Sequence, residues 1–157
     1  MKPFHRATQL HDVCELAPNL RYEDKREVNT LGKTPEQSLL TGYLFGRVCR
    51  SIINNYGQVV GMYGVVPADN KTGLVWMLGS NKLKKIKIPF LKESRTEVEG
   101  MNTLFPHLWN IIDSRNEMHL KWIKWCGFKI IGERMVNNGS SGNVKFYEFC
   151  KIVDDRT

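Results

Sequence analysis

Long apolar runs are missing from these 157 residues. The longest, GQVVGMYGVV at 57–66, is about half of the roughly 20 residues a membrane-spanning helix needs, so no span is expected. The opening MKPFHRATQL lacks the apolar centre of a secretory leader, and synthesis in the cytoplasm is the expectation. Paired cysteines are missing as well. Cys14, Cys49, Cys126 and Cys150 form no C-x-x-C pair and have mostly apolar or aromatic neighbours. That pattern points to reduced, buried thiols rather than disulfides or zinc. His5, His11, His107 and His119 do not fall at metal-ligand spacing, and no metal is expected. Repeats and linkers are absent too, which leaves one domain over 1–157, long enough to bury a core.

Negative charge is the scarcer sign: 16 acidic residues stand against 23 basic ones, a net charge of +7. A chain of this balance favours anionic partners, whether nucleic acid, a phosphorylated cofactor or an acidic protein. Nucleic acid is the least favoured of the three. The basic stretch 82–95 holds one aromatic, Phe90, and lacks the interleaved aromatics of single-strand binders.

What is present reads as alternating elements. FHRA has strand character, and a helix from Thr8 or His11-Asp12 carries Val13, Leu16 and Ala17 at helical spacing, with a break near Pro18. The charged RYEDKREVNT is helix-compatible and ends at Gly32. In TPEQSLLTGYLFG, Thr34 is the N-cap, Pro35 the first helical residue and Gln37 the return partner of a capping box. RVCRSII, QVVGMYGVV and LVWML, separated by NNYG and PADNKTG, read as an antiparallel meander. Helical spacing returns after Ser80 or Asn81, with a longer helix from about Pro89 to Phe105. LWNIID is a strand, 116–126 a helix, FKIIGER a strand, NNGSSGN a loop and KFYEFCKI the last strand. The order is β-α-α-β-β-β-α-β-α-β-β.

The stretch NEMHLKWIKWCGF, in which Asn116 stands eleven residues before Gly127-Phe128, resembles the last helix of the GNAT acyltransferase superfamily. The segments ELAPNLRYEDKREV, VWMLGSNKLKKIKIPFLKESR and LWNIIDSRNEMHLKWIKWCGF, taken in order, resemble the T7-like phage internal virion protein A family, which is itself GNAT-like. The resemblance implies an α/β (α+β) fold, a mixed and mostly antiparallel central sheet flanked by helices. It also implies acetyl-CoA as cofactor and an amine acceptor on a protein or small molecule. The backbone of Leu78 and Gly79, followed by Ser80, would hold the thioester and its arm, and Asn116 would lie near the pantetheine, although as a sequence it is most simply an N-cap. Trp122 and Trp125 read as core residues, or one of them, taken as Trp122, borders the acceptor pocket.

Several parts of the usual catalytic set are missing. Where the superfamily has a glycine-rich diphosphate loop, this chain has LGSNKLKK, with a single glycine. Lys82, Lys84 and Lys85 offer charge there instead, and lysines in a first helical turn oppose the helix dipole unless an anion offsets them. The position of the usual tyrosine acid is Ile123, and LVWML holds no carboxylate base. The remaining candidates lie in RYEDKREV. Asp24 and Glu27 share a helix face at i, i+3 and either can serve as base or recognise a cation. Arg21 and Arg26 accompany them as acceptor-binding candidates, against the plain alternative of a surface charge network. Tyr22, Tyr43 and Tyr63 are acids only if they face the cleft, and His119 reads as a surface or packing residue. Two functions stay open: a tailed-phage N-acyltransferase, or a non-catalytic internal virion or host-interaction protein on the same fold. Both place the protein in the host cytoplasm, and the second adds packaging in the virion. The oligomeric state is not fixed by these patterns.

Overall fold

The computed structural model describes residues 2–137, 139 and 142–153, with 87–91 described by their backbone course alone. In chain order come strand β1 (Phe4–Ala7), helix α1 (Leu10–Leu16), a 3-10 turn (Ala17–Asn19), helices α2 (Tyr22–Thr30) and α3 (Pro35–Phe45), and strands β2 (Val48–Ile53), β3 (Val59–Pro67) and β4 (Thr72–Gly79). A second 3-10 turn (Asn81–Ile86) leads into α4 (Lys87–Leu104), followed by β5 (His107–Asp113), α5 (Glu117–Trp125), β6 (Lys129–Asn137) and β7 (Asn143–Ile152).

Three helices, not two, separate β1 from β2, because the charged stretch folds as a helix of its own. Gly32, at φ 81°, supplies the left-handed residue that ends α2. Two residues on, Thr34 and Gln37 close the expected capping box: Gln37 N–H donates to Thr34 Oγ1 at 3.2 Å and Thr34 N–H to Gln37 Oε1 at 2.9 Å. The start of α1 falls between the two expected positions, with Gln9 as cap and its N–H donating to the Asp12 carboxylate at 2.9 Å.

The seven strands form one sheet in the order β1-β2-β3-β4-β5-β7-β6. Every neighbouring pair is antiparallel except β4 and β5, and the β2-β3-β4 meander is as expected. Side chains alternate across a strand with period two, and β4 shows what that does. Val75 and Met77 join Val98, Met101, Trp122 and Ile123 under α4 and α5, whereas Trp76 and Leu78 join Val13, Leu16, Val28 and Leu39 under α1 to α3. The domain is therefore three layers, helices on both faces of a mostly antiparallel sheet, in agreement with the expected fold class.

Local expectations fail where side chains chose otherwise. Residues 81–86 form a 3-10 turn and not a helix start: Leu83 N–H bonds the Ser80 carbonyl at 3.1 Å, and Leu83 is buried against Gly79. Cys126 is buried as expected but Cys14 is exposed, and all four thiols are free. The two tryptophans of α5 part company. Trp122 is 8% exposed in the core, whereas Trp125 is 43% exposed with the Arg95 guanidinium 4.2 Å over its ring. The Gly127-Phe128 turn is a helix stop, with Gly127 at φ 94° and Phe128 N–H bonded to the Ile123 carbonyl at 3.0 Å. The loop expected at 137–143 lies in part outside the described residues, as do the side chains of Pro89 and Phe90. Among the described residues no helix is long and apolar enough to cross a membrane.

Candidate active site

The one parallel pair creates the site. β4 and β5 are in register over only three positions, Thr72↔His107, Gly73↔Leu108 and Leu74↔Trp109. Beyond them β4 stays with β3 and β5 with β7, so a wedge opens between the two. Its vertex is pinned by Asn110, whose Nδ2 donates to the Val75 carbonyl at 2.8 Å. Ladder alternation settles which backbone groups face the wedge. Ser80 N–H bonds the Val60 carbonyl at 2.9 Å, so even-numbered residues at this end of β4 turn their polar groups to β3 and odd-numbered ones turn theirs to the wedge.

The wide end of the wedge is closed by a buried polar cluster. Asp24, fully buried, accepts hydrogen bonds from Gly79 N–H (2.8 Å), Arg21 Nη2 (2.9 Å) and Asn116 Nδ2 (2.9 Å). Arg21 Nη2 also donates to Asn116 Oδ1 at 2.7 Å, and Arg21 N–H donates to the Gly79 carbonyl at 2.8 Å. Residues from α2, β4 and the start of α5 thus satisfy one another, as buried charges must. Asn116 stands at the N-cap position of α5 as expected, but its side chain makes no cap bond there and is committed to Arg21 and Asp24. His119, one turn on, is buried and not a surface residue; its Nδ1 lies 3.4 Å from Asn116 Nδ2. Burial holds its imidazole below its ordinary value, only partly offset by the Asp24 charge.

Between vertex and cluster lies a cavity of about 260 Å³ that joins the two helical layers through the sheet. Glu27 and Val28 reach it from α2, Trp76 and Met77 from β4, Asn110 and Ile112 from β5, His119 and Trp122 from α5. Glu27 Oε1 accepts from Asp113 N–H at 2.8 Å. Burial pushes its carboxyl up to about 8, and the nearby Asp24 and Asp113 charges add to the rise. Asp113 behaves oppositely. Burial alone would raise it, but a two-pronged Arg115, at 2.9 and 2.6 Å, holds it below the carboxylate range. Two carboxyls in one neighbourhood are therefore driven apart, Asp113 downward by Arg115 and Glu27 upward by burial. Two residues of the cavity lining, Trp76 and His119, each carry a buried nitrogen, Nε1 and Nε2, with no hydrogen-bond partner among the described residues.

The residues singled out from the sequence divide accordingly. Asp24, Arg21, Asn116 and Gly79 do come together, but into a self-satisfied cluster that leaves them little capacity for a ligand. Glu27 and Trp122 line the cavity. Leu78 lines it too, yet its N–H belongs to the β3 ladder, so the backbone donor that faces the wedge is Met77, one residue earlier. Ser80 is buried with its Oγ accepting from Lys82 N–H at 3.2 Å. Lys82 and Lys85 are exposed on the 3-10 turn, and Arg26 lies over the Tyr22 ring at 5.1 Å, away from the cavity lining. None of Tyr22, Tyr43 and Tyr63 lines the cavity; Tyr63 shares the α4–α5 face of the sheet but meets His5 of β1 at 3.2 Å. His119 and Trp76 were missed. The first had one sequence signal, its place three residues after Asn116 on the same helix face; the second had none beyond being aromatic on a strand.

This wedge, with helices arranged around it in this order, is the GNAT fold. The chain is similar over 98% of its length to all of a putative phosphinothricin N-acetyltransferase (TM-score 0.73, 15% identity). It is similar over 100% of its length to 96% of a ribosomal-protein-S5-alanine acetyltransferase from Vibrio fischeri (TM-score 0.67, 15% identity). A spermidine N-acetyltransferase from Vibrio cholerae, solved with CoA and spermine, matches over 96% of this chain and 95% of its own (TM-score 0.64, 10% identity). At such identities the likeness is one of fold. No model of a protein family matches the chain, and no curated protein matches it by sequence.

Proposed function

We propose that this chain is an N-acyltransferase that carries an acetyl group from acetyl-CoA to an amine inside the β4–β5 wedge. The observation that carries it is the Glu27 carboxyl, poised at about 8, in the wall of a cavity that passes between the two layers. An amine reaches neutral solution protonated and must shed that proton to attack a thioester. A base whose own value lies near the working pH does this best, and Glu27 is the carboxyl in the neighbourhood that no arginine holds. Met77 N–H is turned to where a carbonyl oxygen would develop charge, the role of an oxyanion donor. The new C–N bond forms as the C–S bond breaks. The proton that the nitrogen sheds after attack passes to the departing thiolate, so the apolar Ile123 in place of a side-chain acid is tolerable.

The fit to acetyl-CoA is divided. The cavity accepts an acyl head beside an acceptor. The diphosphate end meets a 3-10 turn, with only the exposed Lys82, Lys84 and Lys85 to offer charge. That turn, together with the Asp24 cluster closing the wide end of the wedge, favours a second reading: a tailed-phage internal virion or host-interaction protein that keeps the fold without the chemistry, made in the host cytoplasm and packaged. Calorimetric titration with acetyl-CoA and with CoA separates the two. Saturable binding, weakened by Lys82→Ala with Lys85→Ala, supports the enzyme, whereas silence at millimolar ligand leaves the non-catalytic reading. In the enzyme, Glu27→Gln lowers turnover by roughly 10²–10⁴-fold, the range of a lost general base.

A further inference from the structure

We propose that the acceptor is a primary monoamine on a short apolar arm that bears a hydrogen-bond-accepting oxygen, and not a polyamine or a basic peptide tail. This rests on the acyltransferase reading and names its substrate class. Among the described residues lining the cavity, Glu27 is the one carboxyl group, and it acts as a base only in its ionised form. It can relieve one ammonium of a proton and has nothing left for a second. Lys33 lies in the same lining, and the chain carries a net charge of +7. A second buried ammonium would therefore stand unpaired, which costs several kcal/mol, in a field that already repels cations.

The remaining wall is apolar, with Val66, Leu74, Met77, Trp122 and Phe149 around the Trp76 ring. At about 260 Å³ the cavity lies just under the roughly 300–1,000 Å³ of drug-sized pockets, so the arm is short. The Trp76 indole has a specific seat. It lies against Gly42 of α3, where a Cβ would run into ring carbons Cζ2, Cε2 and Cη2. Its Nε1, buried and without a partner among the described residues, is a donor that needs an oxygen. His119 Nε2 is the second such nitrogen; its Nδ1 lies 3.4 Å from both Asn116 Nδ2 and Asp24 Oδ1. Gly42 is thus the residue that sets the width of the pocket, and Trp76 the one that selects for oxygen.

The test has two arms. Tryptophan fluorescence of the chain alone, titrated with tyramine, hexylamine and spermidine, reads the pocket without any acyl donor. Thiol release from acetyl-CoA with the same amines reads the reaction. Tyramine is expected to bind and turn over best, hexylamine about tenfold less well for want of one hydrogen bond, and spermidine about 100-fold less well. Gly42→Ala, which drives the indole into the cavity, raises KM for both monoamines by about tenfold or more. Trp76→Phe, which creates no clash, removes the preference for tyramine over hexylamine and keeps the proposal testable if Gly42→Ala does not fold. Spermidine or a lysine peptide equal to tyramine overturns the substrate class and leaves acyl transfer standing. Amine binding in the expected order with no acetyl-CoA binding overturns acyl transfer alone, and no saturation by any amine overturns the pocket itself.

Discussion

Glu27 makes the stability of this protein depend on pH in a direction opposite to most carboxylates. Its ordinary value is 4.5 and its value in the fold is about 8, so the folded chain holds this proton more tightly than the unfolded one. Its contribution to stability is fully present below about 4.5 and is lost as pH rises through about 8. The difference, at 1.36 kcal/mol for each unit, has an upper bound of about 5 kcal/mol, a large fraction of the roughly 5–15 kcal/mol that holds a domain together. Relaxation and water entry on ionisation reduce it, and a measured change of about 2–3 kcal/mol is the expectation. Glu27→Gln keeps the oxygen that accepts Asp113 N–H and cannot ionise. Urea denaturation of both proteins from pH 5 to 9 isolates the carboxyl, since His119 and every other titrating group cancel in the comparison. The wild type should lose stability relative to the variant from about pH 5 to 8, with little further change between 8 and 9. Parallel curves across that range would refute a Glu27 carboxyl raised by the fold, and with it the base proposed for the reaction.

Asp24→Ala should be among the most damaging single changes, costing about 3–5 kcal/mol by leaving the buried Arg21 with only the more distant Glu23, at 3.6 Å, as counter-charge, as read by denaturant midpoint. Thr34→Ala removes the side-chain half of the α3 capping box and should cost about 1 kcal/mol by the same assay, with no effect on ligand binding.

Much of the fold was legible because local physics repeats. The Thr34 cap, the Gly32 and Gly127 stops, the meander turns and the alternation of RVCRSII each depend on residues within a few positions of one another. The sequence also carried Asp24 and Glu27 as a pair on one face of α2. It did not say that they would part in role. Asp24 meets Arg21 close in the chain but also Gly79 and Asn116, 55 and 92 residues away, whereas Glu27 meets the Asp113 backbone 86 residues away. Asn116 shows the same limit from the other side. An asparagine before a helix is a cap by every local criterion, and only the arrival of α2 against α5 turns its side chain to other partners.

What the sequence determined by itself was therefore the strands and their order, most of the helices, the absence of a glycine loop after β4 and the excess of positive charge, all properties of neighbours or of sums. Only the tertiary structure decided where β4 leaves β5, which backbone N–H faces the gap, and that Glu27 and Asp113 shift in opposite directions. Those follow from burial and from partners distant in the chain. The free energy of a charge depends on what surrounds it in space, and in this protein those surroundings come from three elements that no local pattern places together.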